Sequence, residues 1–279
     1  RLSTVLQRFR RSRRVLSLLI APFFCVLVTF SCATEDEPTE IADPSAWPAI
    51  AFDPAAKGPQ KLSTTGLARV VDGKLIYHPD LIPYDLNVPL FSDYSVKKRA
   101  LWVPKGEKIT WQDTGPLVFP QGSVIVKSFL FPQDFRTPDK DVRAIETRVM
   151  VRDKNEWKAW PYIWDKDGAG KRTGDASLKV SGGVQDISFI DADGKKQTST
   201  YLVPQRNQCL DCHDQVDGSD QRTGIIGPKA RWLNRDGLYG DTTVNQLQHL
   251  HDLGLLDGLP DLAKVDKSTV WQDVQTAGV

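Results

Sequence analysis

The sequence holds one methionine, four histidines and four cysteines in 279 residues. So few soft or imidazole donors leave a short candidate set for any metal or haem site. Four cysteines are too sparse for a disulfide-stapled scaffold. Neither sign of charge predominates: 36 Lys and Arg stand against 35 Asp and Glu, a net charge of +1. That excludes an overall polybasic nucleic-acid binder and an acidic disordered chain. There is no internal repeat and no glycine-rich phosphate loop. What is present is ordinary for a globular protein, with 40% hydrophobic, 9% aromatic and 25% charged residues. The length suits one large domain or two small ones.

The neutral balance hides an asymmetry. Residues 1–14 contain six arginines (Arg1, Arg8, Arg10, Arg11, Arg13 and Arg14) and no acid, and residues 15–30 are apolar apart from Ser17 and Thr29. A basic stretch before a short apolar one is the pattern of a bacterial export signal. The apolar run, with Pro22 in its middle, is short for a membrane span of about 20 residues. Thr29-Phe30-Ser31-Cys32 resembles a lipobox, which makes Cys32 the expected lipidation site. Ordinary cleavage after Ala33 is the alternative. Residues 1–32 are read as a lipoprotein-type signal and residues 33–60 as a flexible tether. Taking the six signal arginines from the 36 basic residues leaves 30 against 35 acidic ones, a net charge of −5. The expectation is a periplasmic protein, lipid-anchored at the outer membrane, with no nucleic-acid partner.

The middle of the chain reads as strands. Residues 68–71 and 74–78 flank Asp72-Gly73, a strong two-residue hairpin turn. Residues 123–131 are rich in Val, Ile and Phe. Within residues 142–152, Ile145, Thr147, Val149 and Val151 share one face, and Glu146, Arg148 and Arg152 the other, the period of a half-buried strand. Trp160, Tyr162 and Trp164 alternate likewise. Residues 185–190 and 196–203 form a further hairpin. The expected fold is mainly β: an antiparallel β-sandwich or jelly-roll-like domain over residues 61–205, then a small helical and loop module over residues 206–279. The aromatics are read as core, since exposed ones would instead serve as a sugar-stacking platform. Nothing in the sequence singles out Glu146 and Asp93 as an acid–base pair, so no catalytic residue is assigned.

Beyond Pro204 the pattern changes. Residues 245–256 have helical period, with Val244, Leu247, Leu250 and Leu255 on one arc. Before them stands Cys209-Leu210-Asp211-Cys212-His213. CxxCH is the attachment site of a c-type haem. Two intervening residues set both sulfurs under adjacent vinyl groups, and the next residue becomes the proximal iron ligand. On this reading Cys209 and Cys212 anchor one haem c and His213 is its proximal ligand. Two rival uses remain. A redox disulfide needs a thioredoxin-like βαβ setting, absent from the pattern. A zinc site needs two histidines such as His249 and His251.

The sixth ligand is open among His78, His249, His251 and no protein group. No methionine follows His213, and Met150 lies in the expected sheet. His251 shares the apolar arc of its helix and is the preferred distal candidate. Gly227-Pro228 resembles the Gly-Pro of small c-type cytochromes, in which a carbonyl accepts the imidazole N–H. Pro228 is thus a candidate haem contact. So is Arg231, which with Lys229, Arg235 and Trp232 forms a basic group suited to propionates, or else an ordinary solvated turn.

Several segments carry a resemblance. They are Pro89-Leu90-Phe91-Ser92-Asp93-Tyr94 with Lys97-Lys98-Arg99, residues 119–124 with Val126, Lys127 and Phe129, and Glu146-Thr147-Arg148. They continue through Tyr162-Ile163-Trp164, residues 207–213, residues 227–231 with Leu233-Asn234, and Asn245-Gln246-Leu247 with Gly254-Leu255-Leu256. In this order, over about residues 65–260, they resemble the uncharacterised bacterial di-haem c-type cytochromes with a long N-terminal β region. The resemblance implies electron transfer outside the cytoplasm to a periplasmic or outer-membrane redox partner, with Cys209, Cys212 and His213 holding the first haem. Members usually continue to a second CxxCH. This sequence begins at Arg1 and ends at Val279 without one, so a longer natural chain is expected. Two rivals are a haem-dependent oxidoreductase, such as a peroxidase or the electron-accepting domain of a dehydrogenase, and a polysaccharide-binding β-sandwich with auxiliary haem.

Overall fold

The computed structural model describes residues 47–270 apart from 55, 56, 93, 168, 169, 171, 218 and 219. The export signal, Cys25, Cys32, Asp93 and most of the expected tether lie outside the described residues. No helix among those described is long and apolar enough to cross a membrane.

Strands dominate and nearly all pair antiparallel. The first hairpin is β1 (Ala68–Val71) with β2 (Lys74–Tyr77), after a 3-10 turn at Leu62–Thr65. Its turn residues Asp72 and Gly73 both have positive φ, 48° and 79°. This is the backbone a tight hairpin matched to strand twist requires, and it explains why Asp-Gly is there. There follow β3 (Ile82–Pro83), β4 (Val96–Trp102), β5 (Ile109–Thr110), β6 (Val124–Pro132), β7 (Val142–Asp153), β8 (Glu156–Lys166) and β9 (Arg172–Leu178). Six of these form one sheet in the order β3-β4-β6-β7-β8-β9. A second hairpin, β10 (Gly183–Ile190) with β11 (Lys196–Val203), forms its own two-stranded sheet and packs on the first.

The mainly β, antiparallel expectation holds at this level. The jelly-roll detail does not. Sheet neighbours are also sequence neighbours apart from the excursion through β5, because tight connections such as that between β7 and β8 return each strand beside its predecessor. Hairpins, rather than a second full sheet, pack on this sheet.

Register decides what each face carries. One face presents Ala100, Val126, Val149 and Trp160 in a row. With Tyr162 and Trp164 they join Leu62, Leu67 and Leu75 from the N-terminal hairpin region in an apolar core. Each such buried side chain contributes roughly 1.5–3 kcal/mol. Trp160, Tyr162 and Trp164 are fully buried, so the sugar platform is not built from them. The polar groups on this face satisfy one another: the Tyr77 hydroxyl meets Ser128 Oγ at 2.9 Å, Ser128 meets Thr147 at 2.7 Å, and Trp164 Nε1 donates to Thr147 at 2.9 Å.

The opposite face carries Leu101, Ile125, Met150 and Ala159 in one row. The next row is Arg99, Lys127, Arg148 and Pro161. It is not the solvent face that alternation implied. Ile145 also crosses over: a bulge opposite Phe129 and Leu130 shifts it into the cluster of Phe129, Phe131 and Ile163 beneath β10 and β11, while Ala144 takes its place in the first core.

The segment from residue 206 covers much of this second face. It contains α1 (Leu210–His213), β12 (Asp214–Asp217), β13 (Asp220–Thr223), α2 (Ala230–Leu233), β14 (Asp236–Tyr239), β15 (Thr242–Asn245), α3 (Gln246–Asp252) and β16 (Leu256–Asp257). It is therefore less helical than expected, with two extra hairpins. The helix foreseen over 245–256 is seven residues long. Asn245 caps it by accepting from Leu247 N–H at 3.0 Å, and Gly254 at φ 72° follows its end.

Residue 206 is not a packing boundary either. Leu233, Leu247 and Leu250 share a core with Leu101, Ile125 and Met150. Gln246 clasps the Asp85 backbone on both sides, accepting at 2.7 Å and donating at 2.9 Å. The described residues belong to one compact unit.

Candidate functional site

Between the second sheet face and the covering segment lies a cavity of about 440 Å³, within the usual range for small-molecule and cofactor sites. Its floor is Ile125, Lys127, Arg148, Met150 and Ala159. Its opposite wall includes Cys209, Cys212, His213, Ile225 and Trp232, and residues 84–92 form a rim. All three chemical residues of CxxCH therefore open on one space. Cys209, at the end of the 3-10 helix Arg206–Cys209, is half-buried. Cys212 in α1 is exposed, and both thiols are free. Burial pushes the Cys209 thiol above its ordinary value.

A hairpin orients His213. Pairing of Asp214 with Thr223 brings Gly224 opposite His213. Gly224 N–H donates to the His213 carbonyl at 2.7 Å, and the Gly224 carbonyl lies 2.7 Å from His213 Nδ1. A carbonyl can only accept, so Nδ1 carries the proton and Nε2 keeps its lone pair in the neutral ring. Burial holds the imidazole below its ordinary pKa, despite the opposing effect of the Gly224 bond.

This corrects the Pro228 assignment. Its carbonyl accepts from Leu117 N–H at 3.0 Å and is not the imidazole's partner. The hairpin delivers Gly224 first, and pairing between sequence-distant residues could not be read from the Gly-Pro dipeptide. Arg231 is corrected too. It is exposed, 5.8 Å from the Trp232 ring centre, and does not line the cavity. Lys229 lies over the same ring at 4.8 Å, and Arg235 donates to the Leu86 carbonyl at 3.1 Å.

His251 is the third correction. It is exposed, with Nδ1 3.2 Å from the Leu256 carbonyl, away from the cavity. The helix turns its buried side, Gln246, Leu247 and Leu250, to the core and leaves His251 outside. His249 stacks on Tyr239 at 3.6 Å, and His78 is buried against Trp47 at 5.4 Å. Among the described residues no three His, Cys, Asp or Glu side chains gather as a metal group. The zinc set of Cys209, Cys212, His249 and His251 is not assembled.

The cations on the site come from the sheet. Arg99, Lys127 and Arg148 stand side by side across β4, β6 and β7 and all line the cavity. Like charges directly across strands repel. Asp85 offsets Arg99 at 2.8 Å, and Glu146, fully buried, pairs with Arg148 through two hydrogen bonds while accepting from the Tyr201 hydroxyl at 2.8 Å. Lys127 has no carboxylate at ion-pair distance among the described residues; the Phe129 ring lies 4.8 Å from its Nζ. Burial, with Arg99 and Arg148 beside it, pushes its amine down to about 7. The floor thus joins an apolar strip to a positive one in which, among the described residues, two of three cations have a carboxylate partner.

The sequence signal for this floor was the recurrence of a cation on the non-core phase of three strands, at 99, 127 and 148. Alternation within residues 142–152 alone places only Arg148 of the three on that phase. Comparison of the chain with family models, curated proteins and solved structures finds no match.

Proposed function

We propose that this chain is an exported c-type cytochrome that holds one haem covalently and passes electrons outside the cytoplasm. The observation that carries the reading is the convergence of Cys209, Cys212 and His213 on one cavity whose far side is an apolar strip beside a cationic row. The two thiols would hold the haem through thioether bonds, and His213 Nε2 would take the iron. The Gly224 carbonyl fixes the imidazole plane and raises its basicity, the service that such a second partner gives a metal-bound histidine. Arg99, Lys127 and Arg148 suit the two carboxylates of the haem edge, since charge-assisted bonds are strongest where water is excluded. Ile125, Ala159 and Ile225 supply the apolar contacts that exclude it. The haem would supply a reversible one-electron couple at iron.

Residues 206–270 act on this account as the haem-holding segment, with the sheet as its other wall. The arginine-rich start, the apolar run and Cys32 support export and lipid anchoring, and a redox partner outside the cytoplasm is the corresponding acceptor or donor. The test is expression of the full chain with a haem-maturation system, then haem staining on a denaturing gel. Stain should persist on the wild type, fall with Cys209→Ala or Cys212→Ala, and vanish when both are replaced. An unstained wild type would refute the proposal.

A further inference from the structure

We infer that Met150, on the sheet and upstream of the attachment motif, is the sixth ligand of the iron. The assignment rests on the haem reading of the cavity and adds to it the ligand that CxxCH cannot supply.

Three observations lead to it. First, Met150 lines the same cavity as His213, one on the sheet wall and the other on the covering segment. An iron held by His213 in this cavity would have the Met150 thioether among the lining groups of the other wall. Second, His78, His249 and His251 do not line that cavity. Each is engaged elsewhere: His78 against Trp47, His249 on Tyr239, His251 with the Leu256 carbonyl. Third, the floor is divided by register. Met150 stands between Ile125 and Ala159, while Lys127 and Arg148 stand one row along. A neutral, soft sulfur belongs with the apolar strip, and the cations belong with the carboxylate edge.

The location has consequences. A ligand on the central strand β7, held between β6 and β8, is fixed by rigid elements. His/Met ligation favours the reduced state relative to bis-histidine and raises the potential. A haem bound this way ties the covering segment to the sheet through the iron as well as through packing.

Met150 is the sole methionine of the sequence, so methyl-labelled methionine reports on it alone. In the reduced, haem-loaded full chain its methyl resonance is expected far upfield, moved by the ring current of a haem directly above it. The oxidised protein should show the weak red charge-transfer band of thioether-bound ferric haem. Met150→Leu, close in volume, should keep covalent haem on a denaturing gel, lose that band and open the iron to added imidazole. Met150→His should remain low-spin at a lower potential. A methyl resonance at its ordinary position in haem-loaded wild type, or a Met150→Leu spectrum identical to wild type, overturns the assignment and leaves the haem reading standing. Wild type without covalent haem removes both.

Discussion

Across β4, β6, β7 and β8 one face of the sheet reads Ala100, Val126, Val149, Trp160, and one residue along, the other face reads Arg99, Lys127, Arg148, Pro161. The same strands make both rows. The first is sealed by apolar side chains of the N-terminal region and by a closed chain of hydroxyl and indole hydrogen bonds. The second is only partly covered, with Arg99 and Pro161 buried but Lys127 and Arg148 half-buried beside a cavity, and among the described residues only Arg99 and Arg148 of its three cations have a carboxylate partner. Burying cations costs free energy unless partners repay it. A fold that tolerates this on one face and not the other sets the two faces apart, and under the proposed haem reading the tolerant face is the one suited to carboxylates.

Substitutions should separate the faces, beginning with the largest effect. Trp164→Ala removes a fully buried ring from the sealed face and should cost about 3–5 kcal/mol in denaturant melts. Met150→Leu on the other face should cost less than about 1.5 kcal/mol. Equal losses would erase the distinction. Glu146→Gln leaves the Arg148 charge uncompensated and should destabilise by about 3 kcal/mol, read in the same melts.

Lys127 provides the test of opposite sign. Its amine is pushed down to about 7 in the fold from 10.5. Between these values the unfolded chain binds the extra proton, so stability of haem-free protein should rise with pH through that window. Lys127→Met should therefore stabilise haem-free protein by about 1–3 kcal/mol at about pH 6, and the gain should disappear above the window. In haem-loaded protein the gain should shrink, because the carboxylates supply the missing charge. The smallest effect is expected from Asn245→Ala, which removes the α3 cap and should cost about 1 kcal/mol, with a slight loosening of the cover seen by amide exchange.

Local chemistry was readable in the sequence and register was not. CxxCH, the Asp72-Gly73 turn and the hairpin of β10 and β11 each depend on a few consecutive residues, so spacing alone exposed them. Alternation along β7 gave the correct phase for Thr147, Val149 and Val151. It could not tell that Glu146 and Arg148, on the other phase, would be covered by residues more than fifty positions away, as the bond from Tyr201 to Glu146 shows. The bulge that turned Ile145 over has the same origin, since it exists only relative to Phe129 and Leu130 on β6. Helical phase misplaced His251 because the arc was extended beyond the turn that ends at Leu253. Met150 was passed over for being in a sheet, and the sheet is the wall of the cavity.

The most direct test of the central claim is the mass of the proteolytic peptide that carries Cys209 and Cys212, taken from wild-type protein matured with haem. The account predicts a single peptide heavier by one haem, with neither thiol free to alkylate. Recovery of that peptide at its unmodified mass, with both thiols alkylated, would contradict it.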